Sequence, residues 1–208
     1  MATYSDLKQR IVSEMTRDDL EDDLSALLET HIARAIEYYQ GDQFWFNYGS
    51  ATVSASAAEV AMPATMRVID SVRTPDGNLL TKVGLDEILA STATSGTPTH
   101  YAEFGDGIYV YPTPSSAVTL TLYGTKYITP PSTGTDSNAW TNAAQDLISS
   151  HTQTTLYREK FRDDNGVARA RAATSDAYIR LKAETSRRNE TPLRMPGHFP
   201  TGGYYAYS

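Results

Sequence analysis

The chain has 208 residues, no cysteine, 18 Lys and Arg against 25 Asp and Glu, and a formal net charge of −7. Its length suffices for one domain with a real core or two small ones. No run of about eighteen apolar residues exists, so no transmembrane helix is expected, and the lack of Cys excludes disulfides, zinc–thiolate sites and thiol catalysis.

Ser5 is a plausible N-cap for a first short helix, with Leu7, Ile11 and Met15 following at four-residue spacing. Residues 19–40 predict a stronger helix that stops before Gly41. On its wheel Leu20, Leu24, Leu27, Leu28, Ile32, Ala35, Ile36 and Tyr39 share one arc; Asp22, Glu29 and Glu37 lie opposite as an acidic face. At Gln43 the period changes to alternation through Phe44, Phe46 and Tyr48 and on through 50–56. Strands are expected at 66–73, 78–83, 100–104, 108–111 and 118–123. Pro75-Asp76-Gly77 forms a turn, because Pro presets φ and Gly accepts positive φ. Residues 86–89 read as one helical turn, and Gly105-Asp106-Gly107 as a hairpin tip. After a Pro/Ser/Thr/Gly loop at 130–137, a helix is expected from 141 to 161. Ala144, Leu147, Ile148, His151, Leu156 and Phe161 are its inner candidates; residues 163–166 break it.

The last helix, 167–188, has two apolar sides. Ala170, Ala177, Tyr178 and Leu181 form one; Ala168, Ala172, Ile179 and Ala183 form the other. Arg169, Arg180 and Arg187 run between them, as do Arg171 and Lys182. Such a helix touches two neighbours, either both within its own domain or one in a second subunit.

The fold class is therefore α+β. A helical core of about four helices, from 1–42 and 138–188, carries an inserted antiparallel β unit of about six strands at 43–129. An extended tail follows at 189–208. Fixing that tail costs on the order of 20–40 kcal/mol of backbone entropy, whereas burying its five large side chains returns about 2 kcal/mol each. Its Arg194, Met195, Phe199, Tyr204, Tyr205 and Tyr207 are residue types used at interfaces. It reads as an arm that orders on a partner.

The charge is uneven. Residues 1–166 carry 11 basic and 22 acidic side chains, net −11; residues 167–208 carry 7 and 3, net +4. The acidic balance argues against a nucleic-acid binder as a whole. The opening Met1-Ala2-Thr3-Tyr4-Ser5-Asp6 does not predict a signal peptide. No phosphate loop, nucleophile elbow or zinc helix motif occurs. The acidic run at Asp18, Asp19, Asp22 and Asp23 opens a helix rather than a calcium loop, and His31 reads as a hydrogen-bonded core residue. No catalytic, cofactor or metal site is expected, and the chain reads as non-enzymatic.

The order of parts carries a resemblance. The opening TYSDLKQRI (3–11) leads into a Leu-rich helix with His31 and Arg34. GTPTHYAEFGDGIYVYPTPSSAVTLTLYGTKYI (96–128), SNAW (137–140) and PLRMPG (192–197) follow. Together they resemble the head-to-tail adaptor proteins of tailed bacteriophages. The resemblance implies a ring of twelve copies beneath the portal, in the neck of the virion. Such a ring extends the channel through which genomic DNA passes without specific binding, and it presents a surface to a tail or nozzle protein. It also implies portal gripping by C-terminal residues, here Arg187, Arg188, Arg194, Met195, Phe199, Tyr204, Tyr205 and Tyr207. Asp22, Glu29, Glu37, Arg169 and Arg180 are expected at the channel or between subunits, and Pro75, Asp76 and Gly77 towards tail proteins. The competing readings are a tail terminator or baseplate component, a nucleic-acid module built on the basic last helix, and a tail-associated hydrolase.

Overall fold

The computed structural model describes residues 1–15, 25–91 and 94–189. Helix α1 (Tyr4–Met15) buries Leu7, Ile11 and Met15 at the expected spacing. Its cap is Thr3 rather than Ser5. The Thr3 hydroxyl accepts from the Asp6 amide at 3.2 Å, and the Asp6 carboxylate accepts from the Thr3 amide at 2.7 Å. Of the second predicted helix, Leu20, Asp22 and Leu24 lie outside the described residues; α2 (Ser25–Tyr39) buries Leu28, Ile32, Ala35, Ile36 and Tyr39.

Seven strands follow among the described residues, in two sheets rather than one unit of six. They are β1 (Tyr48–Ala55), β2 (Glu59–Ala61), β3 (Met66–Arg73), β4 (Thr81–Lys82), β5 (His100–Phe104), β6 (Gly107–Tyr111) and β7 (Val118–Lys126). One sheet runs β1-β7-β3, all antiparallel; the other runs β2-β6-β5-β4, with β4 parallel to β5. Their inward side chains meet in one core, including Ile69 and Leu122 from the first sheet and Tyr101 and Ile108 from the second. Pairing of two layers of alternating strands is what buries the apolar face of each. The Pro75 turn forms as expected, with Gly77 at φ 82°, and Gly105 takes φ 58° at the hairpin tip.

Three expectations change. Phe44 to Tyr48 is not strand throughout. The Asn47 side chain accepts from the Phe44 amide and donates to the Asp42 carbonyl, both at 2.8 Å, folding this stretch so that Phe44 enters the helical core. The expected strand at 78–83 shrinks to β4 and a bridge from Leu79 to Arg73. The single helix at 141–161 is three pieces: α4 (Ala139–Ala143), α5 (Gln145–Leu156) and a π turn (Tyr157–Phe161), with Ala144 off helical geometry between the first two. Asn138 and Thr141 form a reciprocal capping box on α4. The short α3 (Leu85–Ala90), expected as a helical turn at 86–89, and the long α6 (Asp164–Asn189) complete six α-helices among the described residues; five of them lie in the helical part, against about four expected there, because the helix at 141–161 is divided.

The first and last helices share one core, in which Trp140, Leu147, Ile148 and Leu156 pack with α1, α2 and Ala177 of α6. The loop before α4 is clamped to the start of α1. The Gly134 and Asp136 carbonyls accept from the Ser5 and Tyr4 amides. Asp136 itself accepts from the amides of Ser132 and Thr133 and from the Thr133 hydroxyl. Those donors hold its carboxyl down at about 2 against an ordinary 3.8. A depressed carboxyl stabilises the fold above its unfolded value and loses that contribution as pH falls. Acid titration followed by amide exchange at Ser132 and Thr133 is therefore expected to open this clamp between pH 3.8 and 2. In Asp136→Ala the same amides are expected to exchange fast at neutral pH, with no further acid step.

Candidate interaction surfaces

Helix α6 is the longest element, at 26 residues. Its inner side buries Ala170 and Ala177, with Tyr178 and Leu181 partly covered. On its other apolar side Ala168, Ala172 and Ala183 are exposed, and Ile179 is 60% exposed. Of the two neighbours that the sequence asks for, the chain itself supplies one.

The far half of α6 grips the segment that leaves α2. Tyr178 donates to the Asp42 carboxylate at 3.1 Å, and Lys182 donates to the Gln43 carbonyl at 3.1 Å while lying over the Phe44 ring. The Trp45 amide donates to the Thr185 hydroxyl, and the Arg188 guanidinium stacks on the Trp45 ring at 3.7 Å. Tyr178, Lys182, Thr185 and Arg188 recur every three to four residues, which puts them on one face. Their spacing was visible in the sequence; their target at 42–45 was not. Lys182 is therefore tied into the body rather than free in a basic stripe.

The other expected interface residues separate into groups. Arg187 and Arg188 both pair with Glu184, at 3.1 and 2.7 Å. Arg169 and Arg180 are exposed and line an open groove. Glu29 pairs with Lys8 at 2.8 Å, and Glu37 accepts from the Tyr127 hydroxyl at 2.5 Å, so these two carboxylates are engaged within the chain. Pro75, Asp76 and Gly77 form an exposed tip beside Leu79, which is 58% exposed; the Arg73 guanidinium braces it through the Gly77 carbonyl. Asp22 and the tail residues Arg194, Met195, Phe199, Tyr204, Tyr205 and Tyr207 lie outside the described residues.

The histidines do not converge. His31 is 3% exposed, with Nδ1 3.0 Å from the Thr155 hydroxyl. That hydroxyl also donates to the Thr152 carbonyl, and the ring's Nε2 lies 4.0 Å from the Glu159 carboxylate. His151 Nδ1 lies 3.0 Å from the Tyr39 hydroxyl. Burial pushes both rings below the ordinary histidine range. Among the described residues no three His, Asp or Glu side chains gather as a metal site. No helix among them is long and apolar enough to cross a membrane.

A model of the SU10 adaptor protein family matches residues 2–196. No curated protein matches the chain. The family match spans both cores and the whole of α6, in the order in which the sequence presents them. The chain thus belongs to the SU10 adaptor protein family, and is a phage adaptor protein.

Proposed function

We propose that this adaptor works at the head-to-tail junction as a ring, of twelve copies, seated beneath the portal. It extends the DNA channel and offers its other side to a tail or nozzle protein. Its role is structural rather than catalytic. The observation that carries this reading is the uncovered apolar side of α6, with Ile179 60% exposed, in a chain that matches an adaptor family over nearly its full length. A long helix that leaves half of its apolar surface open is completed by a neighbour. Acidic surface suits a channel that lets DNA slide, because carboxylates neutralise no phosphates and so free none of the counterions condensed on the DNA.

The portal grip is assigned to the basic aromatic tail and the end of α6. Deleting residues 189–208 is expected to leave a folded chain, because both cores are built from residues that precede them, and to abolish portal binding. Electron microscopy of full-length and truncated chains mixed with the cognate portal checks this. Unimpaired decoration of the portal by the truncated chain would refute the tail assignment. A ring capping the far end of a tail tube would instead favour a terminator.

A further inference from the structure

A sheet ends in strands whose outer N–H and C=O groups lack a partner, and proteins blunt such edges with charge, bulges or brevity. Among the described residues the two sheets present four edges, β1, β3, β2 and β4. Three of them are blunted. β3 carries Arg67, Asp70 and Arg73 and has two register shifts. β2 is three residues long and begins with Glu59; β4 is two residues long, and its Lys82 pairs with Glu103. β1 has none of these protections. It runs for eight residues in unbroken register with β7, and no charged residue or Pro occurs from 43 to 58.

The open groups follow from the ladder. The Lys126 amide donates to the Asn47 carbonyl, so Asn47 and every second residue after it aim their backbone groups at β7. Tyr48, Ser50, Thr52 and Ser54 aim theirs away. The Tyr48 amide donates to the Phe44 carbonyl at 3.2 Å, whereas no described residue pairs with the backbone groups of Ser50, Thr52 and Ser54. The side chains of β1 towards the sandwich core are small, and Ala51 and Val53 are only partly buried. An added strand with large side chains covers them.

The chain holds such a segment beyond the described residues. Tyr204-Tyr205-Ala206-Tyr207 lies in a charge-free stretch from 199 to 208 and has the aromatic composition that favours strands. Helix α6 ends at Asn189, where Arg188 stacks on Trp45, three residues before β1 begins. Residues 190–203 separate Asn189 from Tyr204. Extended, they reach roughly 46 Å, against roughly 27 Å for the whole length of β1, so pairing in either direction is within reach.

We infer that residues 204–207 pair with the outer edge of β1 in the same chain, as a fourth strand on the β1-β7-β3 sheet. Only this short stretch is fixed, at a fraction of the entropy cost of ordering the whole tail, and the tether makes the encounter intramolecular. The inference concerns the single chain and goes beyond the ring. It gives the arm assigned to the portal a docked state before assembly.

The test compares the full chain, without portal, with the chain lacking residues 189–208. Amide exchange at Ser50, Thr52 and Ser54 is expected to be at least roughly tenfold slower in the full chain. Exchange at Gly49, Ala51 and Val53, whose amides are held by β7, is expected to be equal in the two. Equal exchange at all six positions overturns the proposal, as does uniform slowing of all six in the full chain. A cysteine pair gives a second readout, since the chain has no cysteine of its own. Thr52→Cys with Ala206→Cys is expected to form a disulfide within one chain at least roughly tenfold faster than Arg67→Cys with Ala206→Cys, because of its higher effective concentration. Arg67 is exposed on β3, two strands across the same sheet. Equal rates, or disulfides only between chains, overturn the proposal. Portal binding that is lost on tail deletion while edge exchange stays equal sinks this inference and leaves the portal assignment standing.

Discussion

Trp140→Ala is expected to lower the stability of the chain by about 4 kcal/mol, the cost of emptying a buried aromatic site. Trp140 is fully buried where the helices from both ends of the chain meet. Its ring meets Phe46 edge-on at 5.0 Å and Phe44 at 6.0 Å. It thus joins α4 to the segment that leads out of α2. Removing it opens a void between elements about a hundred residues apart in sequence, which neither can fill by local adjustment. For a chain of this size the melting temperature is expected to fall by roughly 8–16 °C. Trp140→Phe is expected to cost only about 1 kcal/mol, because the indole N–H has no acceptor to lose. Urea unfolding of the two variants checks both numbers. A loss below about 1 kcal/mol for Trp140→Ala would show that the helical ends do not share this core.

Gly124→Ala is expected to cost about 3 kcal/mol, the scale of overpacking in a rigid site. Gly124 lies on β7, the central strand of its sheet, between β1 and β3. A Cβ there would come 2.0 Å from the Val68 carbonyl oxygen and 3.0 Å from the Ile69 Cα. Both are backbone atoms of β3, which cannot move aside without breaking the ladder. The pairing of β3 with β7 shifts register on either side of Val68 and Ile69, and these irregularities bring the strands so close. Gly49, directly across the β1 ladder, is the control. A Cβ there meets only the flexible end of Lys126, so Gly49→Ala is expected to be nearly neutral. Thermal melts of the two alanine variants separate a backbone clash from a general preference for glycine. Equal stability of both would mean that β3 does not approach β7 as described.

Much of the local structure was legible because it depends on neighbours in sequence. The four-residue spacing of Leu7, Ile11 and Met15 predicted a buried helical face, and the strand at Met66–Arg73 followed from its composition and its turn. Pro75 and Gly77 encode their turn directly through φ. The two-sided wheel of α6 was legible for the same reason, as was the placement of His31 in a core. What was missed has three causes. The β2 strand is three residues long, too short for a period, and exists because β6 pairs with it. Phe44 alternates like a strand residue but enters the helical core, because the Asn47 side chain closes a turn there. The break at Ala144 and the π turn after Leu156 carry no sequence marker.

The same division holds for the candidate surfaces. Composition alone showed that acidic and basic charge sit in different parts of the chain. Only the fold decided which charges are spent inside it. Glu29, Glu37 and Lys182 are held by Lys8, Tyr127 and the Asp42–Gln43 segment, whereas Arg169 and Arg180 line the open groove. Sequence by itself determined the α+β class, the amphipathic helices and the charge asymmetry, since each is set by residue type and short-range spacing. Tertiary structure decided the split into two sheets, the descent of Phe44 into the helical core and the pairing of each charge. Those depend on contacts between residues far apart in the chain, and no local pattern records them.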